Sequence, residues 1–252
     1  MVLGLSFLFA GEYRSAVAEL MVDVAAYQHG LRMVAVGTSG TVAVDGLAVL
    51  GDALGHLGRW DEALARGAEA QTVAAETANP WDMHIANYHL ARTLLVRGDA
   101  VSALPLITGN IEFGERCGFP MVVEWTHALL GQAYLQFGQY DHAIQSLDRA
   151  IAGCTEMQLV WGSTLARLAK AETELAAGIT GAAATAEETL RFARRHGYKA
   201  FEAGACRVLA LCLRSLDPGG ARRYLSTARA IARKREMTPE LKAIEAAQAL
   251  LR

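Results

Sequence analysis

The 252-residue chain has few prolines, little excess charge and no long apolar run. Each of these shortages bears on which fold class or function the chain can have. With only 5 Pro, few runs of Val, Ile or Thr, and much Ala and Leu, it favours helices over a large sheet. A net charge of −2 argues neither for a nucleic-acid binder nor for an acidic tail, and we predict no nucleic-acid partner. No stretch approaches the run of about 18 apolar residues expected of a membrane helix. No basic residue precedes the apolar residues 1–10, so we predict neither a membrane span nor a signal peptide.

Cysteine chemistry is also missing. The 4 cysteines form no C-x-x-C pair and have no histidine at zinc-site spacing: Cys117, Cys154, Cys206 and Cys212. We expect small buried side chains in a reducing compartment, and hence a cytoplasmic protein.

Catalytic and metal-binding patterns are absent too. His84 and His89 are predicted to lie on different helix faces, which disfavours a shared metal. We expect no acidic partner at helical spacing for His56, His127 or His142. No G-x-S-x-G elbow or other nucleophile context occurs. The sequence therefore predicts no enzyme, no cofactor and no metal site.

What the sequence does contain is an internal repeat. Glycines recur every 40 residues, each followed five residues later by an alanine: Gly58, Gly98, Gly138 and Gly178, with Ala63, Ala103, Ala143 and Ala183. We interpret each glycine as a turn between two helices and each alanine as a point of close helix packing. Residues 3–16 match residues 130–143 position for position, from Leu3-Gly4 to Ala16. The chain is thus expected to begin inside a helix, as a fragment with domains upstream or a late start codon would.

Helical spacing of the apolar residues predicts an all-α fold of antiparallel helix pairs stacked into one α-solenoid. We predict about six units and a C-terminal capping helix. The first unit is truncated and irregular, with glycines interrupting the helical pattern between residues 28 and 41. The predicted bounds are 1–41, 42–80, 81–120, 121–159, 160–197, 198–237 and, for the cap, 238–252.

The unit beginning at Leu130 resembles a tetratricopeptide repeat. It reads Leu-Gly-x-x-Tyr, then Gly-x-Tyr-Asp-x-Ala-Ile from Gly138, then Ala150-Ile151. The resemblance covers essentially the whole chain, although the spacing of 40 exceeds the usual repeat of about 34 residues. It implies a right-handed superhelix.

Four segments are similar to the C-terminal repeat region of bacterial class III adenylate/guanylate cyclase-like proteins, which carry an NTPase module. They are Gly11-Glu12-Tyr13-Arg14, His29-Gly30-Leu31, residues 57–63 and Arg97-Gly98-Asp99. Neither the cyclase metal-binding acids nor a phosphate-binding loop is present, so the resemblance implies the accessory arm and not the enzyme.

In tetratricopeptide arrays the first helix of each unit lines a concave groove that binds protein or peptide partners. The matching positions are Asp45, Asp52, Tyr88, Arg92, Trp125, Ala128, Gln132 and Glu172. The aromatic pair with Arg92 and Gln132 is typical of an interaction surface. The alternative is that Tyr88 and Trp125 only pack between longer helices.

We therefore expect a non-catalytic interaction scaffold or regulatory arm, docking a protein partner or its own cyclase and NTPase domains. The alternative is a ligand- or peptide-sensing domain that signals to an effector, and an uncharted enzyme is the third reading. Basic residues concentrate near the C-terminus, either as a solvated face or as a docking surface for an acidic partner. The sequence leaves open whether the chain forms a homodimer.

Overall fold

A computed structural model describes residues 2–27, 40–77 and 79–251, and every regular element within them is a helix. The helices are α1 (Val2–Ala10), α2 (Tyr13–Ala26), α3 (Val42–His56), α4 (Trp60–Thr77), α5 (Pro80–Arg97), α6 (Ala100–Cys117), α7 (Pro120–Gln136), α8 (Tyr140–Glu156), α9 (Val160–Ala176), α10 (Ala182–His196), α11 (Lys199–Cys212), α12 (Pro218–Lys234) and α13 (Thr238–Ala249). The predicted all-α class is confirmed. Apart from Gly40 and Thr41, the predicted irregular link over 28–41 lies outside the described residues. None of the described helices is both long and apolar enough to cross a membrane.

The chain divides into two compact units, Met1–Val123 and Glu124–Arg252. In the first unit α3 packs on α4, α5 packs on α6, and α3 also contacts α5. In the second unit α9 packs on α10, α11 packs on α12, and α9 also contacts α11. Within each unit the first helices of successive pairs therefore lie side by side, which is the arrangement of a stacked helical repeat.

The recurring glycines end the first helix of each pair. Gly98 has a φ of 89°, a left-handed conformation that a residue with a Cβ adopts only at a cost. Its N–H donates to the carbonyl of Leu95, and Asp99 N–H donates to that of Leu94. The Asp99 carboxylate then accepts from Ser102 N–H at 3.1 Å and caps α6. One short segment therefore ends α5 and starts α6.

Close packing explains the repeated small residues. Ala63, Ala103 and Ala143 are fully buried on the second helices. On the first helices, a Cβ built on Gly131 would overlap the side chain of Leu147. A Cβ on Gly4 would come within 2.6 Å of Leu20 in the same way. The match between residues 3–16 and 130–143 is thus reproduced in the packing.

Ala183 is the exception, and its prediction as a close-packing point is wrong. It is half-exposed, whereas Ala186, Leu190 and Ala193 form the buried stripe of α10. An additional turn follows Gly178, so that α10 begins only at Ala182. The longer turn moves the buried stripe three residues along the sequence.

Candidate functional site

A cluster of charged and polar side chains lies inside the first unit, where α3 and α5 pack together. Asp52 of α3 is completely buried, and His89 and Arg92 of α5 are only 6% and 5% exposed. Arg92 Nη1 donates to Asp52 Oδ2 at 2.5 Å, and His89 Nδ1 lies 2.8 Å from the same oxygen. Spacings of three and four residues place side chains on one face of a helix, so Arg92 and His89 approach Asp52 together.

The prediction that His56 has no acidic partner is wrong. Asp52 precedes it by one helical turn, and His56 Nε2 lies 3.5 Å from Asp52 Oδ1. The imidazole stacks on the ring of Tyr13 from α2, with ring centroids 4.3 Å apart and an interplanar angle of 6°. The cluster therefore joins three helices of the first unit.

The charges of this cluster are balanced internally. Burial favours a protonated Asp52, but the Arg92 guanidinium and the His89 hydrogen bond outweigh it and lower the pKa of that carboxyl to about 2. Burial, helped by Arg92 and opposed by Asp52, lowers the pKa of His56 to about 4. At pH 7 the cluster thus holds an ion pair and a neutral His56. Neither Asp52 nor His56 has a pKa near 7, as efficient acid–base catalysis at that pH requires.

A pair of neighbouring carboxyl groups, Asp45 and Asp82, lies at the start of α3 and α5. Asp82 is fully buried and accepts from Thr41 N–H at 2.7 Å and from Thr41 Oγ1 at 2.5 Å. Burial, together with the Asp82 charge, raises the pKa of the neighbouring Asp45 to about 7. Asp45 is therefore close to half-protonated at neutral pH.

In the second unit Arg207 of α11 links two acidic residues. Its Nη2 donates to Glu172 Oε1 of α9 at 2.5 Å, and its Nε donates to Glu240 Oε1 of α13 at 2.8 Å. Burial favours the neutral guanidine, but the two carboxylates outweigh it and raise the pKa of Arg207. One guanidinium thus joins the alternate helices α9, α11 and α13.

The residues of the predicted groove fall into both units. Asp45, Asp52, Tyr88 and Arg92 lie in the first, and Trp125, Gln132 and Glu172 lie in the second. Tyr88 is only 3% exposed, and a Cβ built on Gly162 would overlap Trp125, so both rings pack between helices as the alternative interpretation expects. Trp125, Gln132 and Glu172 are half-exposed. The groove as a binding surface stays a prediction.

Sequence reasoning missed His89, His56 and Arg207 as members of these clusters. The separation of four residues between Asp52 and His56 was a usable signal. His89 and Arg207 gave none, because their contacts depend on the offset between neighbouring helices. Among the described residues, no group of three or more His, Cys, Asp or Glu side chains is placed to hold a metal ion.

The surface of the described residues also has clefts, of which two are relevant to binding. One of about 240 Å³ lies between α2, α3 and α4, with Met21, Val24 and Leu54 in its wall and Arg59 and Glu62 among its polar lining. Another of about 370 Å³ lies between α12 and α13.

No protein-family model matches the chain, and a search of curated proteins returns no relative.

Proposed function

We propose that the chain is a non-catalytic interaction scaffold, acting in the cytoplasm as the regulatory arm of a larger bacterial signalling protein or as its partner. The observation that carries this proposal is the partial exposure of Trp125, Gln132 and Glu172 on the first helices α7 and α9. The second helices bury their alanine stripes in packing, so their inner face is already used.

The internal charge balance supports a scaffold over an enzyme. Asp52 is matched by Arg92, and Glu172 and Glu240 are matched by Arg207. Such clusters orient helices against one another, since a lone buried charge would be strongly unfavourable. They offer no nucleophile next to a base, which covalent catalysis needs.

A ligand- or peptide-sensing domain is the second candidate function. It is favoured by the cleft of about 370 Å³ between α12 and α13, since pockets for drug-sized ligands usually span about 300–1,000 Å³. A protein partner needs no such cavity, because it binds a half-exposed surface of aromatic and polar side chains.

A photo-crosslinking residue placed at Gln132 tests the proposal. Gln145, which is exposed on the second helix α8, serves as the matched control site. We expect partner adducts from Gln132 in bacterial cells and few from Gln145, with Trp125→Ala reducing the Gln132 adducts. Adducts from neither site, or equally from both, would contradict the assignment of the partner surface. Native mass spectrometry of the same purified chain reports self-association and any bound ligand.

A further inference from the structure

The cleft between α12 and α13 has a polar rim and an apolar floor. Arg222, Ser226 and Arg229 line it from α12, where spacings of four and seven residues place them on one helix face. Gln248 lines it from α13, and Leu225 and Leu251 supply the apolar surface. The volume of about 370 Å³ lies within the range of ligand-binding clefts.

Within the described part of the chain, no acidic side chain forms an ion pair with the two arginines that line this cleft. The segment Pro218–Lys234 contains five basic residues and no acidic one. Arg222 is exposed and makes no ion pair within the described part of the chain. Arg229 Nη2 donates to Oε1 of Gln248, a neutral amide that holds the guanidinium at the cleft without cancelling its charge. Arg223, by contrast, lies 3.6 Å from Asp217.

The spacing of Arg222 and Arg229 determines how far apart the negative charges of a matching ligand must be. Their Cα atoms are separated by seven residues, which is about 10 Å along a helix. Two carboxylates presented seven residues apart on a partner helix have the same separation of about 10 Å. An apolar side chain between those carboxylates would face Leu225 and Leu251 on the floor.

We propose that the α12–α13 cleft binds an acidic helical segment of a protein partner through Arg222 and Arg229. Arginine suits this role because its planar guanidinium donates two parallel hydrogen bonds to a carboxylate. The net charge of −2 gives the whole chain little long-range attraction for a polyanion such as nucleic acid. The inference rests on the proposed scaffold function and gives it a second surface, separate from the one on α7 and α9.

Selection of a phage-displayed random peptide library on the full chain tests the proposal. We expect enrichment of acidic peptides that carry an apolar residue between two Asp or Glu. Their affinity should fall at least about tenfold in an Arg222→Ala/Arg229→Ala variant, because charge-assisted hydrogen bonds are lost. It should also fall with rising salt. An Arg222→Ala single variant removes only an exposed side chain, and it should show part of the loss with an unchanged circular dichroism spectrum.

The matched control is Arg191→Ala/Arg195→Ala, which removes two exposed charges from the neighbouring second helix α10. An equal loss of peptide affinity in the control variant would show that the peptides bind through general charge attraction, and it would overturn the proposal. So would a selection that enriches no acidic peptide. Tighter binding of duplex DNA or of phosphatidylserine vesicles with the same dependence on Arg222 and Arg229 would assign the cleft to another ligand class. None of these outcomes affects crosslinking at Gln132, so the scaffold proposal is tested independently.

Discussion

At the scale of single residues, Asp52 provides the sharpest test of the packing inside the first unit. Its carboxylate is completely buried and accepts from Arg92 and His89. Asp52→Asn removes the negative charge from the buried pair that Asp52 forms with Arg92. Removing one partner of a buried ion pair costs about 3–5 kcal/mol, so we expect the free energy of unfolding to fall by about that amount in urea titrations at pH 7.

Asp148→Asn is the control for this substitution. Asp148 also forms a short ion pair, with Lys170 Nζ at 2.5 Å, but its side chain is 53% exposed. Exposed pairs contribute about 0–1 kcal/mol because water and salt screen them. Similar losses in the two variants would show that burial of Asp52 is not what makes its pair matter.

The sequence could identify Asp52 and Arg92 as equivalent positions 40 residues apart, but it could not predict that they touch. Contact across two first helices depends on how far each helix is shifted along its neighbour. That shift is set by the packing of many small residues, such as Gly55 against Thr93, and by no single motif. The same limit explains why the partner of Glu172, Arg207, was not foreseen.

At the scale of the helix, we predict opposite effects on the free energy of unfolding for a Gly→Ala substitution at Gly131 and at Gly109. Both are helical, but a Cβ at Gly131 would overlap Leu147, whereas a Cβ at Gly109 meets nothing within 4 Å. Gly131→Ala should lower the free energy of unfolding by about 1–3 kcal/mol through overpacking. Gly109→Ala should raise it by up to about 1 kcal/mol, because alanine favours the helix. Thermal and urea unfolding measure both, and stabilisation by Gly131→Ala would contradict the close contact of α7 with α8.

Helix order and helix ends were predictable because turn chemistry is local. Gly98 followed by Asp99 ends one helix and caps the next through contacts within a few residues. Ala183 was misplaced because an extra turn between Gly178 and Ala182 changes the register without changing the 40-residue glycine spacing. A fixed repeat length therefore predicts turns better than it predicts which helix face is buried.

At the scale of the whole molecule, the residues that make the repeat recognisable are packing residues, and they carry no information about a partner. The global stability of the fold does, however, report on buried titrating groups. Burial, together with the neighbouring His89, lowers the pKa of His84 to about 4, and burial with Arg92 lowers that of His56 to about 4. In the unfolded chain a histidine titrates near about 6.5. Between pH 6.5 and 4 these two histidines are therefore protonated in the unfolded chain but not in the folded chain. They destabilise the fold as the pH falls.

Asp45 has the opposite effect from the two histidines on the stability of the fold as the pH falls. Burial and the Asp82 charge raise its pKa to about 7, above the value of about 4 for an unfolded aspartate. The folded chain holds an extra proton on Asp45 between pH 7 and 4, which stabilises it as the pH falls. Burial also raises the pKa of the Glu240 carboxyl, which therefore stabilises the fold in the same direction as Asp45, so the contribution of each buried histidine is measured by removing that histidine.

We therefore predict that the buried neutral His84 by itself destabilises the fold by up to about 1.4 kcal/mol per pH unit as the pH falls from 6 to 4.5. Urea titrations at a series of pH values measure this slope. A His84→Leu variant lacks this contribution, so its free energy of unfolding should fall less steeply on acidification than that of the unmodified chain, by up to about 1.4 kcal/mol per pH unit. His142→Gln removes an exposed histidine and should keep the slope of the unmodified chain. A His84 variant whose pH dependence equals that of the unmodified chain would contradict the burial of a neutral His84 on α5.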